Sequence, residues 1–217
     1  MTKIIKNKIG NGVNISRIIA VAYLLWAAHP SHCAPFGLPV NTAKIGYGVG
    51  YAVVSVDDPD GNSKDEGAVQ PLNLVYTDWL FSNSKLFSDI KQWTEVFYFE
   101  TSLDAVDNNI GQDVQSFGIR FSLQKSFRFT DSFSPWFGAG VDISRTRYTV
   151  RHTRDAEGFL LQSFEDRDDT GIAFLFNIIN EWTLQSDWSL AAKLEQSIPL
   201  SADISQFTAA LVLLYRY

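Results

Sequence analysis

Along much of the chain apolar and polar side chains alternate one for one. In the last eleven residues the odd positions read Phe207, Ala209, Leu211, Leu213, Tyr215 and Tyr217, and the even positions Thr208, Ala210, Val212, Leu214 and Arg216. A helix would set apolar residues three and four apart, so a period of two predicts a strand. Phe117, Ile119, Phe121 and Leu123 stand against Ser116, Gly118, Arg120 and Ser122 in the same way. Ile172, Phe174, Phe176 and Ile178 stand against Gly171, Ala173, Leu175 and Asn177. One face of each segment is apolar throughout, which suits a strand with lipid on that side.

The pattern predicts eight strands. The first spans about Ala43 to Val56, with Ile45, Tyr47, Val49, Tyr51 and Val53 on one face and Gly46, Gly48 and Gly50 crowded on the other. The acidic run Asp57 to Glu66 is a loop, and the second strand ends near Phe81. A turn over Ser82 to Lys85 leads to the third, which is expected to face Trp93, Phe97 and Phe99 outward and Glu100 inward. A polar loop from Asp104 to Gln112 precedes the fourth strand, and the fifth opens at Pro135. The sixth, seventh (from Trp188) and eighth follow. Antiparallel partners have a constant sum of residue numbers. A centre near residue 62 sets Ala43 opposite Ser82, one near 202 sets Asp187 opposite Tyr217, and one near 131 sets Arg120 opposite Asp142. The strand ends then share one rim, and an even-stranded meander can close. A tight turn at Asp155 to Gly158 would extend the fifth and sixth strands into a protruding hairpin; the alternative is an irregular loop from Arg151 to Arg167.

The N-terminus adds a compartment. Lys3, Lys6, Lys8 and Arg17 precede an apolar run from Ile18 to Ala28, and no acidic residue occurs before Asp57. This is the layout of a secretory signal, with residues 1–33 removed near Cys33–Ala34 and 34–217 forming the barrel domain. A retained anchor and lipidation of Cys33 are the other readings of this segment. Cys33 is the sole cysteine, so the processed chain offers no disulfide or thiolate metal site. Loss of the leader takes four of the 18 basic residues and none of the 24 acidic ones, leaving a charge of −10. Such a chain, without a basic tract, is not expected to bind nucleic acid.

The leader, the eight alternating segments, Pro135-Trp136-Phe137-Gly138-Ala139-Gly140-Val141 and the terminal Tyr215-Arg216-Tyr217 together resemble the OmpA/OmpX-type outer-membrane β-barrels, over their membrane domain only. The resemblance implies an all-β, eight-stranded antiparallel up-and-down transmembrane barrel in a Gram-negative outer membrane, its N-terminus periplasmic. It implies contact with outer-membrane lipids and lipopolysaccharide. It also implies that Phe207, Leu211, Leu213, Tyr215 and Tyr217 form a C-terminal signal read by the barrel-assembly machinery.

Inward faces place Glu100, Arg120, Asp142, Lys193 and Glu195 in the lumen, where buried charges need partners. An ion-pair network filling the lumen and a narrow polar channel are both open readings. Arg145, Arg147 and Arg151 share an outward parity near the upper end of the fifth strand, a placement suited to lipopolysaccharide phosphates or to a solvated face. Lipid A enzymes of this architecture pair a serine with a histidine. Here Ser197 lacks a nearby histidine in sequence and His152 is the only one after the leader, so no catalytic residue is assigned. The acidic loop misses calcium-loop spacing and is read as solvated, and no cofactor or metal site is expected. The expected role is structural or adhesin-like, toward an extracellular ligand or host surface. A channel for small or hydrophobic solutes is the alternative, and a lipid A-modifying enzyme a further one.

Overall fold

The computed structural model describes residues 43–63, 65–79, 90–105, 109–127, 129–130 and 134–217. The turn expected over Ser82 to Lys85 and the leader lie outside these residues. The strands are β1 (Lys44–Asp58), β2 (Gly61–Asn62), β3 (Glu66–Trp79), β4 (Ile90–Leu103), β5 (Gly111–Ser126), β6 (Trp136–Arg154), β7 (Leu160–Ser163), β8 (Arg167–Thr183), β9 (Trp188–Pro199) and β10 (Ile204–Arg216). Eight of them run in sequence order around one antiparallel sheet, and β10 pairs with β1 to close it. The two-residue β2 caps β1, and β7 extends the β6–β8 hairpin.

Tracing register partners around the ring gives Lys44, Thr77, Trp93, Ser122, Gly140, Leu175, Ser197 and Gln206, then Val54 back on β1. The return falls ten residues up the strand (54 − 44), a shear of ten. Eight strands with that stagger tilt by about 35–45° and enclose an interior just wide enough for side chains. Glycine permits the close wall. A Cβ on Gly140 would lie 1.8 Å from the Phe121 carbonyl oxygen across the β5–β6 pair.

Outside, the alternation holds. Leu211, Phe174 and Phe121 are 53, 49 and 36 % exposed, while Lys193 and Glu195 of β9 are buried inside. The exposed apolar side chains continue around the ring through Ile45, Leu74, Ile119 and Ile143, and Trp188 packs on Tyr215 at its lower edge, where β1 begins and β10 ends. Inside, two apolar clusters are built from inward positions. The upper contains Val54, Phe97, Phe99, Val114, Tyr148 and Ile204. The lower contains Val75, Trp93, Ile179, Ala191, Val212 and Leu214.

Three expectations are corrected. On β4, Trp93, Phe97 and Phe99 face inward and Glu100 is exposed, because the run Phe97-Tyr98-Phe99 carries no alternation to fix the face. Lys44 lies opposite Thr77, so Ala43 lies four residues short of Ser82; a tight turn at Asp58–Gly61 and a bulge opposite Gly48–Gly50 shift the pair. The Asp187–Tyr217 register is one residue out, since Tyr215 pairs with Trp188. Of the two readings for residues 151–167, the hairpin is found. Asp155 and Gly158 form its turn, Gly158 taking φ +89°, and β6–β7 continues the β6–β8 ladder through His152–Ser163.

Candidate functional site

The middle of the lumen holds a charged layer. Arg120 on β5 faces Asp142 on β6 in direct register, and its Nε donates to Asp142 Oδ2 at 3.0 Å. Its Nη1 lies 3.0 Å from Glu195 Oε1 and 3.4 Å from Glu95 Oε1, and Nη2 donates to Gln206. The guanidinium lies 3.6 Å over the Phe97 ring. Lys193 bridges Glu95 Oε2 at 2.5 Å and Glu195 Oε1 at 2.9 Å. Two cations thus meet three carboxylates, and the Trp93 indole and Asn177 amide donate to Glu95 and Glu195. Every charged member is at least 97 % buried, where removal of one partner leaves an uncompensated charge.

The structure therefore brings together Arg120, Asp142, Lys193 and Glu195 and leaves out Glu100, whose carboxylate accepts from the Tyr98 hydroxyl on the outer surface. Glu95 takes the inner place. The loop expected over residues 104–112, centred on 108, sets Glu95 opposite Phe121, one residue from its observed partner Arg120. With Glu100 assigned inward, the inner parity of β4 fell on the wrong residues.

The charged layer is capped on both sides. Below it lie the lower apolar cluster and a rim where Lys44 and Lys91 share Glu181, the Lys91 ammonium sitting 4.3 Å over Trp136. Above it lie the upper apolar cluster and a second ionic group. Here Arg151 reaches Asp58 at 2.7 Å and Asp60 at 2.6 Å, and Arg167 pairs with Asp203. The acidic loop is thus not simply solvated, since Asp58 is buried against arginine.

The three arginines expected to share an outward face separate. Arg145 and Arg147 are exposed, and Arg145 grips Asp168 through two bonds of 2.8 and 2.6 Å. Hydrogen bonding from Arg145 holds the Asp168 carboxyl below its ordinary range. Arg151 is turned inward because a bulge intervenes. Val150 takes φ +56°, a left-handed conformation rare for a β-branched side chain, and the β5–β6 register shifts there by one. A bulge is invisible to counting by twos.

His152 and Ser197 stand apart. The His152 ring contacts the Val150 carbonyl and Arg154, on the hairpin. Ser197 lies on the inner wall opposite Gln206. Among the described residues, no group of three or more His, Cys, Asp or Glu is placed to hold a metal. Phe207, Leu211, Leu213, Tyr215 and Tyr217 line the outer face of β10 and its end.

A closed eight-stranded ring, apolar outside and plugged by paired charges inside, has the architecture of an OmpA/OmpX-type outer-membrane barrel. No family model and no curated sequence matches the chain. Among solved structures, it is similar to Neisserial surface protein A, with 10 % identity, a TM-score of 0.52, and coverage of 81 % of this chain and 97 % of that one. Ail, the attachment invasion locus protein of Yersinia pestis, gives 15 % identity, a TM-score of 0.48, and coverage of 81 and 99 %. OprG from Pseudomonas aeruginosa gives 13 %, 0.47, and 82 and 96 %. At these identities the likeness concerns the fold.

Proposed function

We propose that the chain is a non-enzymatic protein of a Gram-negative outer membrane, its lower rim toward the periplasm, which acts at the cell surface through the β6–β7 hairpin. The observation that carries this reading is a plugged interior beneath a projecting arm. Charge pairs and apolar clusters fill the lumen, whereas the hairpin carries Phe159, Leu160 and Leu161 at 70, 62 and 58 % exposure. Large apolar side chains left outside the barrel belt mark an interaction surface. The name of Neisserial surface protein A, which shares this fold, is consistent with a place at the cell surface.

Leader cleavage delivers the chain, and the β10 outer face is its assembly signal. Arg145 and Arg147 follow Ile143, where the alternating run of outward apolar residues Phe137, Ala139, Val141 and Ile143 gives way to charge, and contact lipopolysaccharide phosphates there. Replacing both by alanine is expected to reduce lipopolysaccharide co-purification; unchanged lipid content would remove that contact.

The hairpin is tested by excision. Residues 152–163 replaced by Asn-Gly leave Arg151 opposite Phe164, a hydrogen-bonded pair suited to a two-residue turn. Cells displaying this variant are expected to lose adhesion to host-cell or matrix surfaces while retaining a folded barrel. Adhesion equal to that of the intact chain would overturn the reading. Discrete single-channel steps in planar bilayers would instead favour a narrow channel, and altered lipid A mass spectra on overexpression an enzyme.

A further inference from the structure

We propose that the Asp58–Asp60 turn is a latch that decides which face the projecting hairpin presents, acting through Arg151 on a hinge at Val150. This rests on the reading of the hairpin as the interacting element and adds what controls it. Both strands of the hairpin are interrupted at one height. On β6, Val150 takes φ +56°, and the β5–β6 register shifts by one between Asp113–Thr149 and Gly111–His152. On the returning strand, the β6–β8 ladder ends at Tyr148–Arg167 and the β6–β7 ladder resumes at His152–Ser163, so residues 164–166 lie outside both.

The bulge is held against two preferences. A β-branched residue is strained at positive φ, and the conformation leaves Val150 63 % exposed. Return of Val150 to an extended backbone would relieve that strain. Because facing alternates along a strand, it would also set Val150 on the inner face with Tyr148 and turn Arg151 outward. Every side chain beyond would change face too, and the hairpin would present its other side. Residues 164–166 give the second strand slack to follow. What opposes this is the set of contacts that Arg151 makes only when inward. It donates to Asp58 Oδ1 at 2.7 Å, to Asp60 Oδ2 at 2.6 Å and to the Glu165 carbonyl at 2.7 Å. Asp58 also lies 3.7 Å from Arg167, whose other bond is to Asp203. The two latch carboxylates come from the turn after β1, far from the hairpin in sequence. A binding event that draws this turn outward therefore frees the hairpin, which couples the first upper connection to the third.

Cys33 is the sole cysteine, so in a Cys33→Ser background Gln162→Cys on β7 and Glu100→Cys on the outer face of β4 take one spin label each. Pulsed electron paramagnetic resonance on the full chain in micelles then reads the separation of hairpin and barrel wall. The intact latch is expected to give one distance. Asp58→Asn with Asp60→Asn is expected to raise the population of a second distance at least about tenfold, since hydrogen bonds between charged groups are lost. Arg151→Gln breaks the latch from the other side and is expected to give the same second distance. Adding Val150→Gly to either variant is expected to move the balance back toward the first, because glycine takes positive φ without strain and has no side chain to bury. A gel-mobility change between heated and unheated samples verifies that each variant has a folded barrel. One unchanged distance in both latch variants would overturn the proposal, as would a second distance that Val150→Gly leaves undiminished. The distances are read without a partner, so their failure leaves the surface role standing. Adhesion unchanged by hairpin excision defeats that role without touching the hinge.

Discussion

Glu95 is the residue on which the lumen network turns. It touches both cations, and its removal leaves Lys193 and Arg120 sharing only Glu195 and Asp142. Glu95→Ala is expected to destabilise the barrel by about 3–5 kcal/mol, read as a lower urea midpoint in micelles. Glu100→Ala, on the exposed face of the same strand, is expected to fall within about 0.5 kcal/mol of the unaltered chain. This contrast also marks where sequence reading stops at the residue scale. Arg120 and Asp142 were legible because a short connection fixes their register and both flanking strands alternate cleanly. Glu95 was lost in facing, since three consecutive aromatic residues satisfy either face, and the expected loop centre places its partner one residue out. Arg151 was lost to a local backbone event at Val150 that no spacing rule anticipates.

At the scale of elements, strands with unbroken alternation (β5, β8 and β10) were readable by inspection, and the long hairpin was legible from its turn residues, Asp155 to Gly158, though not in register, since Arg151 lies opposite Phe164 rather than Leu161. The β1–β3 register was not, because its turn and its bulge are set by backbone geometry rather than by side-chain polarity. The closest approach of a glycine to the backbone of a neighbouring strand is at Gly140, where an added methyl meets β5. Gly140→Ala is expected to lower the fraction of chain that attains the folded gel mobility, by more than Gly158→Ala does. At Gly158 nothing lies within 4 Å of an added Cβ, and only the left-handed φ is opposed, at a cost of about 1 kcal/mol.

For the whole molecule, the layering of the lumen predicts transport behaviour. Ions crossing would have to pass two apolar clusters and a charged layer already satisfied internally. Bilayers containing the intact chain are expected to lack stable conductance steps. Glu95→Ala with Lys193→Ala, which empties the centre of that layer, is expected to produce them if the barrel remains closed; silence from that variant would mean that the apolar clusters seal the lumen unaided.

Ring closure has a kinetic consequence. The clasp joining β1 to β10 brings together Lys44 and Arg216, almost the whole described chain apart, and it is formed on bare glycine. A Cβ on Gly46 would lie 2.5 Å from the Leu213 carbonyl oxygen, and one on Gly48 would lie 2.6 Å from that of Leu211. Contacts so distant in sequence form late and slowly. Once fastened, they leave no loose hem from which unravelling can start, so the lifetime of the finished protein is governed by how seldom this one clasp opens.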